Sequence, residues 1–519
     1  MLDSFRWIGR RLGNSAINYH LLESMADQSE KSDGSNSSEL DFEGEYNEPR
    51  PVIQQHRWSL VIRRYLMKLT VLLPSFLHPS NPDTPPKNSH KTAWLDGLRG
   101  VAAFFVVWHH MSLVWFSWSI HNGWTSIADP FIRLPIIRLS ISGLPNVMVF
   151  FVISGYALSY KPLSLLRRDR VPEAHRALAS SMFRRHPRLF APAVILCVPC
   201  VLLAYAGVYG DGARMPGAAV AALDPPRRGT VWEQLLDYGG AVARLCDPFS
   251  GDATGWVYNN ALWTLPIEFR SSLVVFGLLL ALSGVGNGVR MFAVSGVALY
   301  CVCFVHWAEF LFVGGMLLAD LQFCFSERNG YDEPRIRQRS LRRCGAGRRI
   351  IRNIVTLASF LGALYLLGMP KLERGASDTP GFRGLASLIP ERWRAAGSAN
   401  HFWLSLAAVW LVFTVDRSPL LQRMFTCRFA QYLGRISYSL YLVHLVILHT
   451  LGFRIGKIFV ELIGSDTGWG YFIAILATSI SFWFVTIWVA DLGWRFVDAK
   501  VVRALSWAYN QLCNKEVIS

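Results

Sequence analysis

About ten apolar runs recur along this chain, at 98–118, 144–160, 189–208, 262–283, 291–306, 308–325, 351–369, 402–416, 436–453 and 471–492. A bilayer core of roughly 30 Å is crossed by about 20 apolar residues in helical form. Only helices and closed barrels satisfy their own backbone hydrogen bonds in lipid. The runs therefore restrict the chain to an all-α fold, a polytopic membrane helix bundle of about ten transmembrane helices. Charged residues make up 17% of the sequence, below the roughly 25% usual in soluble domains.

The loops between the runs set the expected orientation. Basic residues crowd the connection after the second run (Lys161, Arg167, Arg168, Arg170, Arg176, Arg184, Arg185), the one after the sixth (Arg335, Arg337, Arg339, Arg342, Arg343, Arg348, Arg349) and the one after the eighth (Arg417, Arg423, Arg428). With ten crossings all three fall on one side, which the positive-inside rule makes the cytosol, with both termini there too. The same bias explains the net charge of +16. No single soluble face gathers it, so a nucleic-acid partner is not indicated. The long loops at about 209–260 and 370–400 then form an extracytoplasmic cap.

Outside the bundle the chain divides by composition. Residues 1–51 are polar and acidic and read as a disordered cytosolic tail. The opening MLDSFRWIGRRLG lacks the apolar stretch of a secretory signal, so insertion is expected to use the first span. Residues 52–93 hold an amphipathic stretch broken by Arg57, Arg63, Arg64 and Lys68, then a proline-rich linker; the first part suits a helix lying on the membrane face. The transmembrane domain is expected over 94–500, with a cytosolic tail at 501–519. Among the nine cysteines, Cys197-Val-Pro-Cys200 has a redox-like spacing but lies in an apolar run, where cysteine usually serves as a small hydrophobe.

Four stretches place ionisable groups inside lipid, where they are functional candidates. In Trp94–His110, WLDGLRGVAAFFVVWHH, Arg99 and His110 are eleven residues apart. At 100° per residue that is almost three turns, so both face one side of a helix about 16 Å apart. One reading is a channel from the cytosol with Arg99 at its mouth and His110 at its end, Asp96 standing a turn earlier. The other is a snorkelling arginine and a core histidine. Arg185 and Arg188, at the cytosolic end of the third run, share a helix face and suit either phosphates or lipid headgroups. Glu268, one turn into the fourth run from the outer side, either pairs with a cation such as Arg270 or works near the substrate. His444 lies in the ninth run, with Ser437, Tyr438 and Tyr441 as possible partners. The adjacent His109–His110 pair cannot chelate from one helix face. No Walker loop, dinucleotide fingerprint or HExxH is present, so neither ATP drive nor a metal site is expected.

Five segments in order resemble the acyltransferase-3 family of integral membrane O-acyltransferases, in its fungal-type branch: WLDGLRGVAAFFVVWHH, VFFVISGYALS (149–159), RRHPRLFAP (184–192), WTLPIEF (263–269) and LGRISYSLYLVHLVIL (433–448). Two positions depart from the family pattern. Many relatives carry an aspartate where this chain has Met148 or Val149, and a serine where it has Pro266.

The resemblance implies transfer of an acyl group, commonly acetyl, from acyl-CoA to a hydroxyl of a glycan or small metabolite. Acyl-CoA is then a co-substrate, with no permanently bound cofactor, and membrane lipid is the remaining partner. It maps catalytic roles onto Arg99, His110 and Glu268 and acyl-CoA binding onto Arg99, Arg185 and Arg188. Asp96, Ser437, Tyr438 and His444 are candidates for support. Neutral His110 either takes the acceptor's proton or carries the acyl group itself. The expected location is an endomembrane (ER/Golgi) or the plasma membrane. The alternative is a secondary transporter or flippase, which would predict internal repeats around a midplane site; none is visible between the halves.

Overall fold

The computed structural model describes residues 72–77, 91–209, 213–249, 256–328 and 346–514. Residues 1–90 form a unit of their own, in which a single 3-10 turn, Ser75–Leu77, is described. The tail expected over 1–51 and most of the interfacial helix and linker expected over 52–93 lie outside the described residues.

From Lys91 on, the described chain is helical, with no strand. Its helices are α1 (Ala93–Trp115), α2 (Gly143–Leu166), α3 (Val171–Tyr205), α4 (Val231–Cys246), α5 (Thr264–Ala281), α6 (Asn287–Cys303), α7 (Trp307–Arg328) and α8 (Ala346–Leu367), then α9 (Phe402–Arg417), α10 (Pro419–Phe425), α11 (Arg428–Ile447), α12 (Phe453–Ile463), α13 (Gly468–Gly493) and α14 (Ala499–Asn514). All ten apolar runs lie in helices. Among the described residues eight helical stretches are long and apolar enough to cross a membrane, or nine if α9 and α10, bent by 105°, count as one span. The fifth run is the 17-residue helix α6. It is separate from α7: Val305 takes a left-handed φ of 66° and breaks the chain between them.

Three boundaries differ from the sequence expectation. α3 begins at Val171, well before the apolar run at 189. The outer loop 209–260 contains α4, whose start is fixed by a capping box between Thr230 and Glu233. After α13 the chain passes through a π turn, Trp494–Asp498, into α14. Residues 501–514, read as tail, are thus helical, and Arg184 of α3 donates to Ser506 of α14 at 2.9 Å.

Close helix contacts rest on glycine, as van der Waals association in lipid favours. α1 meets α11 at Gly97, Gly100 and Gly434; a Cβ on Gly100 would lie 2.2 Å from the Gly434 nitrogen, and one on Gly434 2.2 Å from the Asp96 oxygen. α2 meets α7 similarly through Gly155 and Gly315. At one end of the bundle, buried Asp320 of α7 takes Arg290 of α6 at 2.8 Å and Arg167 after α2 at 2.6 Å. Arg417, ending α9, lies 4.0 Å over the Phe325 ring. The ends of α2, α7 and α9, which adjoin the three basic connections, therefore share one side.

Candidate active site

The glycine contact sets α1 and α11 side by side with the same direction, and this orders the polar residues along them. Near the start of both, Arg99 donates through Nε to Ser437 Oγ (3.0 Å) and through Nη2 to the Gly434 carbonyl (3.0 Å). Ser437 passes its own proton to the same carbonyl at 2.8 Å. Asp96 Oδ1 lies 3.2 Å from Arg99 Nη2, on the exposed side. Three turns further along, the His110 ring stands 5.2 Å from the ring of His444. Both α1 residues therefore face α11, as their spacing requires.

Around Arg99 opens a cavity of roughly 350 Å³ whose walls include α2, α3, α5, α11 and α14. Arg99, Arg184, Arg185, Arg188 and Arg435 supply its cationic surface, with Glu268 and Asp498 as its carboxylates. Arg185 lies about 21 Å along α3 and is buried, so it is not at a helix end. Its Nη2 meets Glu268 Oε1 at 2.8 Å, and Ser154 donates to the same oxygen at 3.1 Å. Glu268 therefore pairs with Arg185, not with Arg270. The pairing also puts Glu268 and Arg185 at one depth, although the sequence placed them toward opposite faces. Arg188, a turn deeper than Arg184, lines the cavity with no hydrogen bond or ion pair among the described residues.

The inner wall of the cavity is polar. The Tyr441 hydroxyl donates to the Ala261 carbonyl, so the 2.7 Å contact with Thr264 Oγ1 uses the threonine as donor. Tyr438 also lines the wall and donates to the Leu189 carbonyl. His110 and His444 do not line this cavity. The His444 ring stands 5.9 Å from that of Tyr441 on the same helix, and His110 packs against His444. His444 is fully buried, whereas His110 is only half-buried. The His109 ring nitrogen Nδ1 meets the Ile141 carbonyl at 2.6 Å, a structural bond.

Among the sequence candidates, Arg99, Arg185, Arg188, Glu268, Ser437 and Tyr438 thus share the cavity. His110 and His444 form a second cluster beside it, and Asp96 supports Arg99 from outside. Sequence reasoning missed Arg435, Ser154 and Thr264, although all three lie in the segments that carry the family resemblance. It also missed Asp498, whose place depends on the π turn after α13. Its only local signal was a carboxylate in an otherwise apolar and basic stretch.

Among the described residues no group of three or more His, Cys, Asp or Glu side chains has the geometry to hold a metal ion. The site's assets are guanidiniums for an anion, carboxylates and hydroxyls for hydrogen bonding, and beside it a half-buried and a fully buried imidazole for proton or acyl transfer.

Residues 92–488 match the family described as Acyltransferase domain. The chain is 41% identical over 460 residues to O-acetyltransferase PaAT-1 of Phomopsis amygdali, covering 86% of this chain and 90% of that one. It is 25% identical over 425 residues to Acyltransferase R4 of Phoma sp. (71% and 85% covered). It is 24% identical over 417 residues to Acyltransferase clz18 of Cochliobolus lunatus (71% and 85%). No solved structure matches.

Proposed function

Because the chain belongs to this acyltransferase family, we propose that it is a multi-pass membrane O-acetyltransferase that moves acetyl from acetyl-CoA to a hydroxyl of a glycan or small metabolite. The observation that carries the reading is the arginine-lined cavity whose lining residue Tyr441 adjoins the His444–His110 imidazole pair. CoA is large and polyanionic. Arg188 and Arg435 are the guanidiniums available to its phosphates, because Arg185 is engaged by Glu268, Arg184 by Ser506, and Arg99 by Ser437, Gly434 and Asp96. The name of the 41%-identical relative supports acetyl as the acyl group.

In this reading the donor enters from the cytosolic side, which the basic loops mark, and its thioester arm points at the Thr264–Tyr441 wall. A side-chain rotation of Tyr441 joins the cavity to His110. The acceptor oxygen attacks the thioester carbon, His110 takes the hydroxyl proton as general base, and the departing thiolate recovers it. In the second route His110 attacks first and carries the acetyl group as an acyl-histidine. Arg99 and Ser437 hold α1 against α11 at the cavity, so that His110 stays in register. The enzyme resides in an endomembrane (ER/Golgi) or the plasma membrane.

The test is transfer from radiolabelled acetyl-CoA by the purified full-length protein to acceptors in a lipid-free cell extract. Label should enter an ester, and His110→Ala should abolish it while leaving the protein monodisperse. Undiminished transfer by His110→Ala would remove the proposal. CoA release without an acceptor would select the acyl-histidine route.

A further inference from the structure

Of the imidazoles around His110, His444 is bonded in a way that fixes its tautomer. Its Nδ1 lies 2.8 Å from the Tyr441 carbonyl and 3.2 Å from the Leu440 carbonyl. Carbonyl oxygens only accept, so Nδ1 carries the proton and Nε2 carries a lone pair. That lone pair is buried and has no hydrogen-bond partner, in a residue with 0% exposure. A buried polar atom without a partner calls for an explanation, and a role in proton transfer is one such explanation. His449 differs, its Nδ1 accepting the Leu223 amide at 3.0 Å; His109 Nδ1 likewise meets a carbonyl, that of Ile141, but its unpartnered nitrogen is not among the buried unsatisfied atoms. Immediately after α11 the backbone widens into a π turn, Leu448–Gly452, a feature frequent at functional sites.

We infer that His444 is a positioning residue that acts through His110: its Nε2 lone pair holds the proton that His110 must shed as it takes one from the acceptor. The inference rests on the role proposed above for His110. The acceptor oxygen forms its bond to the thioester carbon and its proton passes to the unprotonated ring nitrogen of His110. The proton on the other His110 nitrogen moves to His444 Nε2. The positive charge then sits on an imidazolium whose Nδ1–H still donates to two carbonyl oxygens. When the carbon–sulfur bond breaks, the proton returns through His110 to the thiolate. The products are the ester and CoA thiol, and no further reagent is consumed. In the acyl-histidine route the same lone pair takes the His110 N–H proton as the opposite nitrogen attacks the thioester.

The experiment measures CoA release from acetyl-CoA by the full-length protein with a lipid-free cell extract as acceptor pool. His444→Gln keeps polar atoms near the ring edge but holds no extra proton. It should lower kcat by about 10²- to 10⁴-fold, the range of general acid–base catalysis, with the KM for acetyl-CoA changed less than twofold. Added imidazole should restore part of the loss in His444→Ala, which a packing role would not allow. His444→Phe keeps the ring's volume but has no nitrogen to hold a proton, so it should fold as wild type and still lose the same factor. Wild-type kcat in His444→Gln or His444→Phe, or a change confined to KM, would overturn the inference. His110→Ala inactive beside a fully active His444→Gln would overturn this inference alone. Activity in His110→Ala would overturn the proposed function.

Discussion

Arg185 and Glu268 meet at 2.8 Å between α3 and α5, 83 residues apart in the chain. Ser154 of α2 donates to the same carboxylate oxygen, so three helices converge on one charge pair. The side chains are 10% and 20% exposed, and little solvent screens them. The pair lines the cavity while consuming one of its five guanidiniums.

Removing either partner leaves a buried charge uncompensated. Arg185→Ala or Glu268→Ala should each destabilise the protein by about 3–5 kcal/mol. Arg185→Met combined with Glu268→Leu should recover most of that, read by thermal unfolding in detergent. Activity should stay lost in the double variant if Glu268 also contacts substrate. Activity restored along with stability would show the pair to be purely architectural.

Glycine governs the α1–α11 contact. At Gly434 an added methyl meets the backbone of Asp96, which cannot step aside without moving Arg99. Gly434→Ala should cost about 1–3 kcal/mol as overpacking and should lower kcat by shifting α1. Gly277→Ala in α5, where the added methyl has nothing within 4 Å, is the matched control. It should be neutral or stabilise by about 0.5–1 kcal/mol. Equal unfolding temperatures for Gly434→Ala and wild type would contradict the geometry.

How far the sequence was legible follows from the range of each relationship. The shared face of Arg99 and His110 needs only helical periodicity, and both side chains do meet α11. Eight of the expected spans, nine with the bent α9–α10 pair, follow from apolar length alone, whereas the fifth run is the shorter helix α6. The start of α3 was hidden because residues 171–188 carry too many charges to pass as a span, so Arg185 and Arg188 were set at a helix end. The Arg185–Glu268 pair joins distant segments, and nothing local distinguishes Arg185 from Arg270 as the partner. The Tyr441–Thr264 contact in the cavity wall joins α11 to α5, which no single stretch encodes. α4, by contrast, had a readable start in Thr230-Val-Trp-Glu233.

Outside the spans, His121 follows α1, with its Nε2 3.4 Å from Ser112 Oγ. Burial, then the positive surroundings of His109, Arg138, Arg374 and Lys371, pushes its pKa from 6.5 down to about 3. The unfolded chain therefore binds more protons than the folded one between those values. The contribution is fully present above about pH 6.5 and is lost progressively as pH falls toward 3. His121→Asn should flatten the dependence of unfolding temperature on pH across that window. An unchanged slope would show that His121 is protonated in the folded state.

Arg188 provides the sharpest test of the donor's place, because it faces the cavity with no ion pair within 4 Å among the described residues, Asp498 lying farther off in the same cavity. A charge-assisted hydrogen bond contributes about 1.5–3 kcal/mol, equivalent to roughly 10- to 150-fold in affinity. Arg188→Ala should raise the KM for acetyl-CoA by such a factor while kcat changes little. S-acetyl-N-acetylcysteamine carries the thioester but no phosphate, so its KM should be indifferent to the substitution. Arg185→Ala should behave differently, losing kcat and stability together, since its guanidinium is bound to Glu268. Equal KM increases for both donors in Arg188→Ala would mean that the guanidinium acts on the acyl end of the cavity and not on phosphate. The CoA moiety would then have to be held elsewhere, with Arg435 as the remaining cavity guanidinium that none of Glu268, Ser506 and the Ser437–Gly434 pair occupies.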